Sequence, residues 1–253
     1  MPLLRVLWAE TLKTKRTAAL WMVFAFPIFV SALLTFLLWQ LPSPLLRHPG
    51  SQWPFLSRFI LQIWTVLVMP LFITLATALM AGLEHPENQW KNLMALPVPR
   101  WTVYIAKLIV VSAMVCGSAL LIAGGVLAAG VVLGSLDSQL QFPSPIPWGV
   151  VLRTVAAATS LMFLAVAIQH WVSLRLKSFT LPVGAGIFVV FMNFVVVGAA
   201  RGDAWSQYYP WALPVRALQT PAVDVAPLLW LSALAGIVVT VAGCWEFCRR
   251  EVS

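Results

Sequence analysis

The side chains that could carry out chemistry are few in this sequence and lie far apart. The histidines His48, His85 and His170 are scattered, and no two acidic residues share an apolar run; Glu246, near the end of the last run, can reach water or Arg249. Neither the G-x-S-x-G elbow nor the H-E-x-x-H zinc motif occurs, and there is no G-x4-G-K-S/T loop to bind ATP phosphates. We therefore expect no catalytic, cofactor-binding or metal-binding residues here, and any nucleotide chemistry belongs to a separate polypeptide.

The three cysteines do not form a metal-binding pattern. Cys116 stands alone, and Cys244 and Cys248 form a C-x3-C pair near the end of the last apolar run. Small apolar residues at the end of a membrane helix are the simplest interpretation, with palmitoylation or metal binding as the alternatives.

Three amide side chains fall inside apolar runs, where polar groups are functional candidates. They are Gln62, Gln169 and Asn193, which we predict as a candidate translocation path. The alternative is that they form hydrogen bonds between helices. No row of charges follows any run, so the predicted cargo is amphipathic, lipid-like or a peptide rather than a small ion.

The elements that must position these groups are membrane helices. Of the 253 residues 61% are hydrophobic and only 9% are charged, whereas soluble domains carry about 25% charged residues. Six apolar runs are long enough to cross a bilayer, at about 18–41, 59–83, 104–134, 149–172, 179–200 and 226–247. The first is too long for the apolar part of a signal peptide, so we expect it to be retained. The predicted fold is an all-α integral membrane protein with six transmembrane helices.

The positive charges indicate the orientation of the runs. One set of flanking segments holds eleven Lys and Arg residues and the other holds five. By the positive-inside rule both termini and the segment 84–107 are cytoplasmic. Membrane topology and anionic lipid, rather than nucleic acid, account for the net charge of +8.

The cytoplasmic segment 84–107 reads EHPENQWKNLMALPVPRWTVYIAK. Pro86 suits the first helical position and Glu87 the positive end of the helix dipole, while Pro97 ends the helix. A helix is therefore predicted at about 86–96, with apolar surface from Trp90, Leu93 and Met94. We expect Arg100 and Lys107 to snorkel at the start of the third span.

Two further segments have amphipathic patterns. Residues 1–17 place Leu4, Leu7, Trp8, Thr11 and Leu12 at helical spacing, with Arg5, Lys13 and Arg16 on another face. This predicts a helix in the inner interface, with a solvated leader as the alternative. Residues 201–225 cluster Trp205, Tyr208, Tyr209 and Trp211, whose rings favour the headgroup level, and this predicts a short helix lying on, or dipping into, the outer leaflet. A ligand-contact role is the alternative there.

Together these features resemble a known family. The basic N-terminal helix with KTKR, the glutamate Glu84 ending the second span, and the sequence ALPVPRWTVYIAK are similar to the ABC type-2 export permeases. Within that family the chain looks most like the small six-span permeases of lantibiotic-immunity and bacitracin-resistance transporters. The resemblance implies that the 86–96 helix is a coupling helix that docks on an ATP-binding subunit. Its docking residues would be Glu84, Pro86, Glu87, Trp90, Lys91, Leu93, Met94, Leu96, Pro97 and Arg100.

The resemblance also implies the assembly. Residues 1–253 would form a single ABC type-2 transmembrane domain in a bacterial cytoplasmic (inner) membrane. Two copies of an ABC ATPase would bind ATP and Mg²⁺, and a second permease chain, identical or homologous, would complete the transporter. The predicted function is ATP-dependent export. The alternatives are an intramembrane enzyme, either a protease or a lipid-modifying enzyme, and a structural or signalling membrane subunit.

Overall fold

The structure is a computed structural model that describes residues 2–15, 17–41, 44–48, 50–83, 98–137, 140, 142, 145–176, 178–198, 205–219 and 225–249. Within these residues all regular elements are helices. The main helices are α1 Pro2–Thr14, α2 Ala18–Gln40, α3 Gln52–Ile63, α4 Met69–Gly82, α5 Arg100–Leu136, α6 Trp148–Leu161, α7 Phe163–Arg175, α8 Thr180–Gly198, α9 Leu213–Gln219 and α10 Ala226–Arg249. Two 3-10 turns, Pro44–Arg47 and Ser206–Tyr208, lie between them.

The long helices match the predicted apolar runs. Five rods are long and apolar enough to cross a membrane, namely α2, α3 continuing into α4, α5, α8 and α10. The pair α6 and α7 makes a sixth if the two are taken as one span bent by 41°. An all-α, multi-pass membrane protein is thus confirmed. The second rod begins at Gln52, earlier than the predicted residue 59, because Trp53 and Leu56 pack into the core although Ser57 and Arg58 interrupt the apolar sequence after them.

Helix α5 is the centre of the bundle. Buried residues follow it along its whole length, and it packs against α2, α1, α6 and α3. Small residues on α5 let its neighbours approach closely. A Cβ added at Gly125 would lie 2.7 Å from the Ser31 side chain, and one at Gly130 would collide with the Trp53 ring.

Two helical rods are interrupted, each for an identifiable reason. Between α3 and α4 the turn Trp64–Val68 is π-helical. The Asn193 side chain donates from Nδ2 to the carbonyl oxygen of Val66 in that turn, at 2.9 Å. Between α6 and α7 the chain bends at Met162. There the Ser232 hydroxyl of α10 accepts from the backbone N–H of Leu164 at 3.3 Å and donates to the carbonyl oxygen of Leu161 at 2.9 Å. Side chains of neighbouring helices therefore satisfy backbone groups at both breaks.

The two amphipathic segments contain helices. In α1, Leu4, Trp8 and Leu12 are exposed; their placement in the membrane interface stays a prediction. In the segment that follows α8, Trp205 and Tyr208 are exposed, but Trp211 is buried against the core. Trp211 is buried because the start of α9 packs inwards against α6, and the position of this segment in the outer leaflet stays a prediction.

Candidate functional site

The predicted coupling helix lies outside the described residues. This holds for Glu84, Pro86, Glu87, Trp90, Lys91, Leu93, Met94, Leu96 and Pro97. Arg100 is described, and its Nη1 donates to the carbonyl oxygen of Cys248 at 3.2 Å, near the end of α10. The structure also describes the residues on both sides of the segment, Leu83 after α4 and Val98 before α5. We call α1, α4 and the start of α5 the framework of the segment.

An ion pair buried within this framework joins α1 to α5. Lys107 Nζ lies 2.7 Å from Glu10 Oε2, and the two side chains are 0% and 1% exposed. Lys107 Nζ also donates to the carbonyl oxygen of Met80 at 3.3 Å. That carbonyl lies in the last turn of α4, where the helix dipole is negative and favours a cation. One ammonium group thus connects α1 with α4 and α5, the helices that precede and follow the 84–97 segment in the chain.

The expectation that Lys107 snorkels to the surface was wrong. Helix α1 covers this part of α5, and Val6 of α1 packs with Val103 and Ala106 in a small buried cluster. Val98, which follows the predicted coupling segment, packs against the same cluster. With α1 in place Lys107 is shielded from solvent, and the Glu10 carboxylate supplies the charge that it needs.

Glu10 was not identified from the sequence as a functional residue. Its Oε1 also accepts from Lys13 Nζ at 2.8 Å. Burial raises the pKa of the Glu10 carboxyl, but Lys107 and then Lys13 lower it by more, so the net pKa lies below its usual value. The carboxylate is therefore ionised in the folded protein at neutral pH. Two features of the sequence could have indicated this pair. Glu10 is the single acidic residue of a basic helix, and Lys107 lies about two turns inside an apolar helix.

A second set of polar contacts joins the C-terminal part of α7 to α10. Trp171 Nε1 donates to Glu246 Oε2 at 2.8 Å, and Arg175 Nη1 lies 3.4 Å from the same oxygen. Arg249, which the sequence offered as a partner of Glu246, lies over the Trp245 ring at 4.0 Å. These contacts sit on the same side of the bundle as the Arg100–Cys248 hydrogen bond.

His170 is fixed to α5 rather than to a catalytic partner. The ring is 1% exposed. Its Nε2 lies 3.2 Å from the carbonyl oxygen of Tyr104, and the two rings meet edge to face at 4.8 Å. Across the described parts of the chain, no group of three or more His, Cys, Asp or Glu side chains could hold a metal ion.

The three amides of the candidate translocation path have separate environments. Gln169 Nε2 donates to the carbonyl oxygen of Pro182 at 3.0 Å, and Asn193 bonds to Val66 as described above. Gln62 is half-buried and lines a groove of about 440 Å³ on α3. The first two therefore connect helices, and a shared path through all three residues stays a prediction.

Comparison with known proteins identifies the family to which this framework belongs. Residues 6–193, about three quarters of the chain, match the family model described as "ABC-2 family transporter protein". No curated protein and no solved structure matches the chain. The matched region contains both Glu10 and Lys107, as well as the whole of the predicted coupling segment.

Proposed function

This chain belongs to the ABC-2 family of transporter proteins, and on that basis we propose that it is the permease of an ABC exporter driven by a separate ATPase. The family makes it a membrane transport subunit rather than an enzyme. The proposal extends this to the direction of transport, the docking surface and the class of cargo.

The observation that carries the proposal is the junction of Glu10, Lys107 and Met80 beside the 84–97 segment. A segment that docks on an ATPase must pass its displacement to the spans. Here both of its ends lead into helices that share one buried ammonium group. We propose that a movement of the docked segment displaces α4 and α5 together and carries α1 with them.

The docking residues in this proposal are those predicted from the sequence. Trp90, Leu93, Met94 and Leu96 supply apolar contact, and Arg100, tied to the end of α10, supports the base of the segment. Two ATPase copies and a second permease chain, identical or homologous, complete the assembly. The membrane is the bacterial cytoplasmic membrane, with both termini inside.

The proposed cargo is amphipathic, lipid-like or a peptide, as in lantibiotic-immunity and bacitracin-resistance transporters. Among the described residues, the buried ionisable side chains Glu10, Lys107 and His170 gather around the start of α5. They do not continue along a span as a relay for ions or protons would. The bundle thus favours a cargo that enters or leaves through the bilayer.

The docking proposal is tested by combining Trp90→Ala with Leu93→Ala. The tagged full-length chain is purified from native membranes and the co-purifying ABC ATPase is quantified by mass spectrometry. We expect ATPase recovery and export to fall with membrane insertion unchanged. The matched control is Trp230→Ala, a tryptophan exposed on α10, which should retain the ATPase. Normal recovery and export in the double variant would contradict the docking role.

The orientation is tested by single cysteines in a background in which Cys116, Cys244 and Cys248 are replaced by serine. A cysteine at position 91 should react with a membrane-impermeant maleimide only after the cells are opened, and one at position 139 should react in intact cells. The reverse pattern would place the predicted docking segment outside, where no ATPase could reach it.

A further inference from the structure

A cavity with two arginines lies at the end of the bundle opposite the Glu10–Lys107 pair. Its volume is about 330 Å³, and its lining includes Arg58 of α3, Val196 of α8 and Arg216 of α9. Arg58 stands 22 residues before Met80 on the continuous α3–α4 rod, which corresponds to roughly 30 Å along the helix. The cavity therefore belongs to a different membrane level from the predicted coupling site.

No acidic side chain that the structure describes forms an ion pair with either guanidinium group in this cavity. Neither Arg58 nor Arg216 has an ion pair or a hydrogen bond among the residues that the structure describes. Each guanidinium offers five N–H donors in a planar fork that suits the oxygens of a phosphate or carboxylate. Two guanidinium groups that line one cavity create a positive electrostatic potential there. A bound anion would be attracted to this potential and would offset the repulsion between the two positive charges.

The cavity adjoins an apolar groove, and Arg58 lines both. The groove has a volume of about 440 Å³ and runs over Phe55 and Phe59 to Gln62. The two phenylalanine rings are stacked with centroids 5.8 Å apart. A charged cavity continuous with an aromatic groove matches a molecule with an anionic head and an apolar tail.

We propose that Arg58 and Arg216 bind the head group of a phosphate-bearing, lipid-like amphiphile, while its tail lies along Phe55 and Phe59. A phosphate is favoured because its several oxygens can accept from both guanidinium groups at once. The inference rests on the proposed export function for its biological meaning, since it names the class of cargo. Binding itself does not depend on the ATPase.

The test measures binding of fluorescent phosphatidylglycerol to the purified full-length chain in dodecyl maltoside micelles, which contain no phosphate that could compete for the two arginines. We expect Arg58→Gln and Arg216→Gln each to weaken binding about tenfold or more, as loss of a charge-assisted hydrogen bond would. Arg58→Lys and Arg216→Lys should retain part of the affinity, because a point charge remains. The matched control is Arg153→Gln, an exposed arginine that does not line the cavity, which should bind normally.

Three results would overturn the inference. Fluorescent diacylglycerol, which lacks phosphate, could bind as tightly as phosphatidylglycerol. Arg153→Gln could weaken binding as much as the cavity variants, which would indicate general surface charge. An anionic peptide could bind in an arginine-dependent manner when the lipid does not, which would assign the cavity to a peptide.

The proposed function and this inference can fail separately. Arginine-dependent lipid binding by a chain that recovers no ATPase would support the site and contradict the docking model. Conversely, the chain could recover the ATPase in a manner that depends on Trp90 and Leu93 but bind no lipid. This result would support the proposed exporter and contradict the lipid site.

Discussion

Removal of either partner of the Glu10–Lys107 pair should destabilise the bundle far more than removal of both. The perturbations are Glu10→Gln, Lys107→Met and the double variant. At 2.7 Å and an effective dielectric constant of about 20, the attraction between the two charges is ~6 kcal/mol. Desolvation costs several kcal/mol for each ion, so the intact pair contributes little net stability.

A single substitution changes this balance sharply. The remaining charge stays buried with only a weaker partner, the Met80 carbonyl for Lys107 or the partly exposed Lys13 for Glu10, and the expected loss is ~3–5 kcal/mol in the free energy of unfolding. The double variant buries no charge, so its loss should be only ~0–2 kcal/mol. The sum of the two single losses should thus exceed the loss in the double variant by at least ~4 kcal/mol.

The measurement is unfolding of the purified chain in mixed micelles, titrated with sodium dodecyl sulfate and followed by tryptophan fluorescence. Lys13→Met is the matched control, because Lys13 contacts the same carboxylate but its side chain is 36% exposed; its expected loss is ~0–1 kcal/mol. A double variant that loses the sum of the two single losses would refute the reasoning. So would a Lys107→Met variant as stable as Lys13→Met.

Three further predictions use the same unfolding measurement. The pKa of Glu10 is lowered in the folded chain, so its ion pair contributes stability above about pH 4, and this contribution is lost as the pH falls through the folded-state pKa. Glu10→Gln should remove this acid-dependent loss of stability. A pH profile of unfolding that is the same in the variant would contradict the prediction. Gly186→Ala should cost ~1–3 kcal/mol because its Cβ would collide with the Thr74 side chain, whereas Gly184→Ala, with nothing within 4 Å, should be neutral; equal effects would argue against this packing. Asn193→Leu should cost about 1 kcal/mol by releasing the carbonyl in the π-helical turn, and no loss would argue against that hydrogen bond.

Hydropathy was enough to predict the spans but not their interruptions. The length of an apolar run reflects the thickness of the hydrocarbon layer that the helix must cross. The six predicted runs therefore coincide with the observed long helices, the sixth being the bent pair α6 and α7. The π-helical turn at Trp64–Val68 and the bend at Met162 depend on Asn193 and Ser232, which belong to other helices. Such contacts leave no periodic signal in the segment that they distort.

The buried ion pair was missed for a related reason. Lys107 was assigned to the surface because a lysine near the end of a span normally reaches water. Its actual environment depends on Glu10, which is distant in sequence and belongs to a helix that was interpreted only by its cations and apolar residues. For Gln169 and Asn193 the structure shows the hydrogen bonds between helices that were the predicted alternative, and the translocation path stays a prediction.

The separation of the ion pair along the chain has a consequence for biogenesis. Glu10 leaves the ribosome 97 residues before Lys107, a delay of roughly 5–20 s at ordinary synthesis rates. During that interval the carboxylate must stay hydrated, with only its neighbour Lys13 to balance it. Helix α1 can therefore reach its buried position only after the third span has been inserted, so the first helix to be synthesised docks later than the spans that follow it.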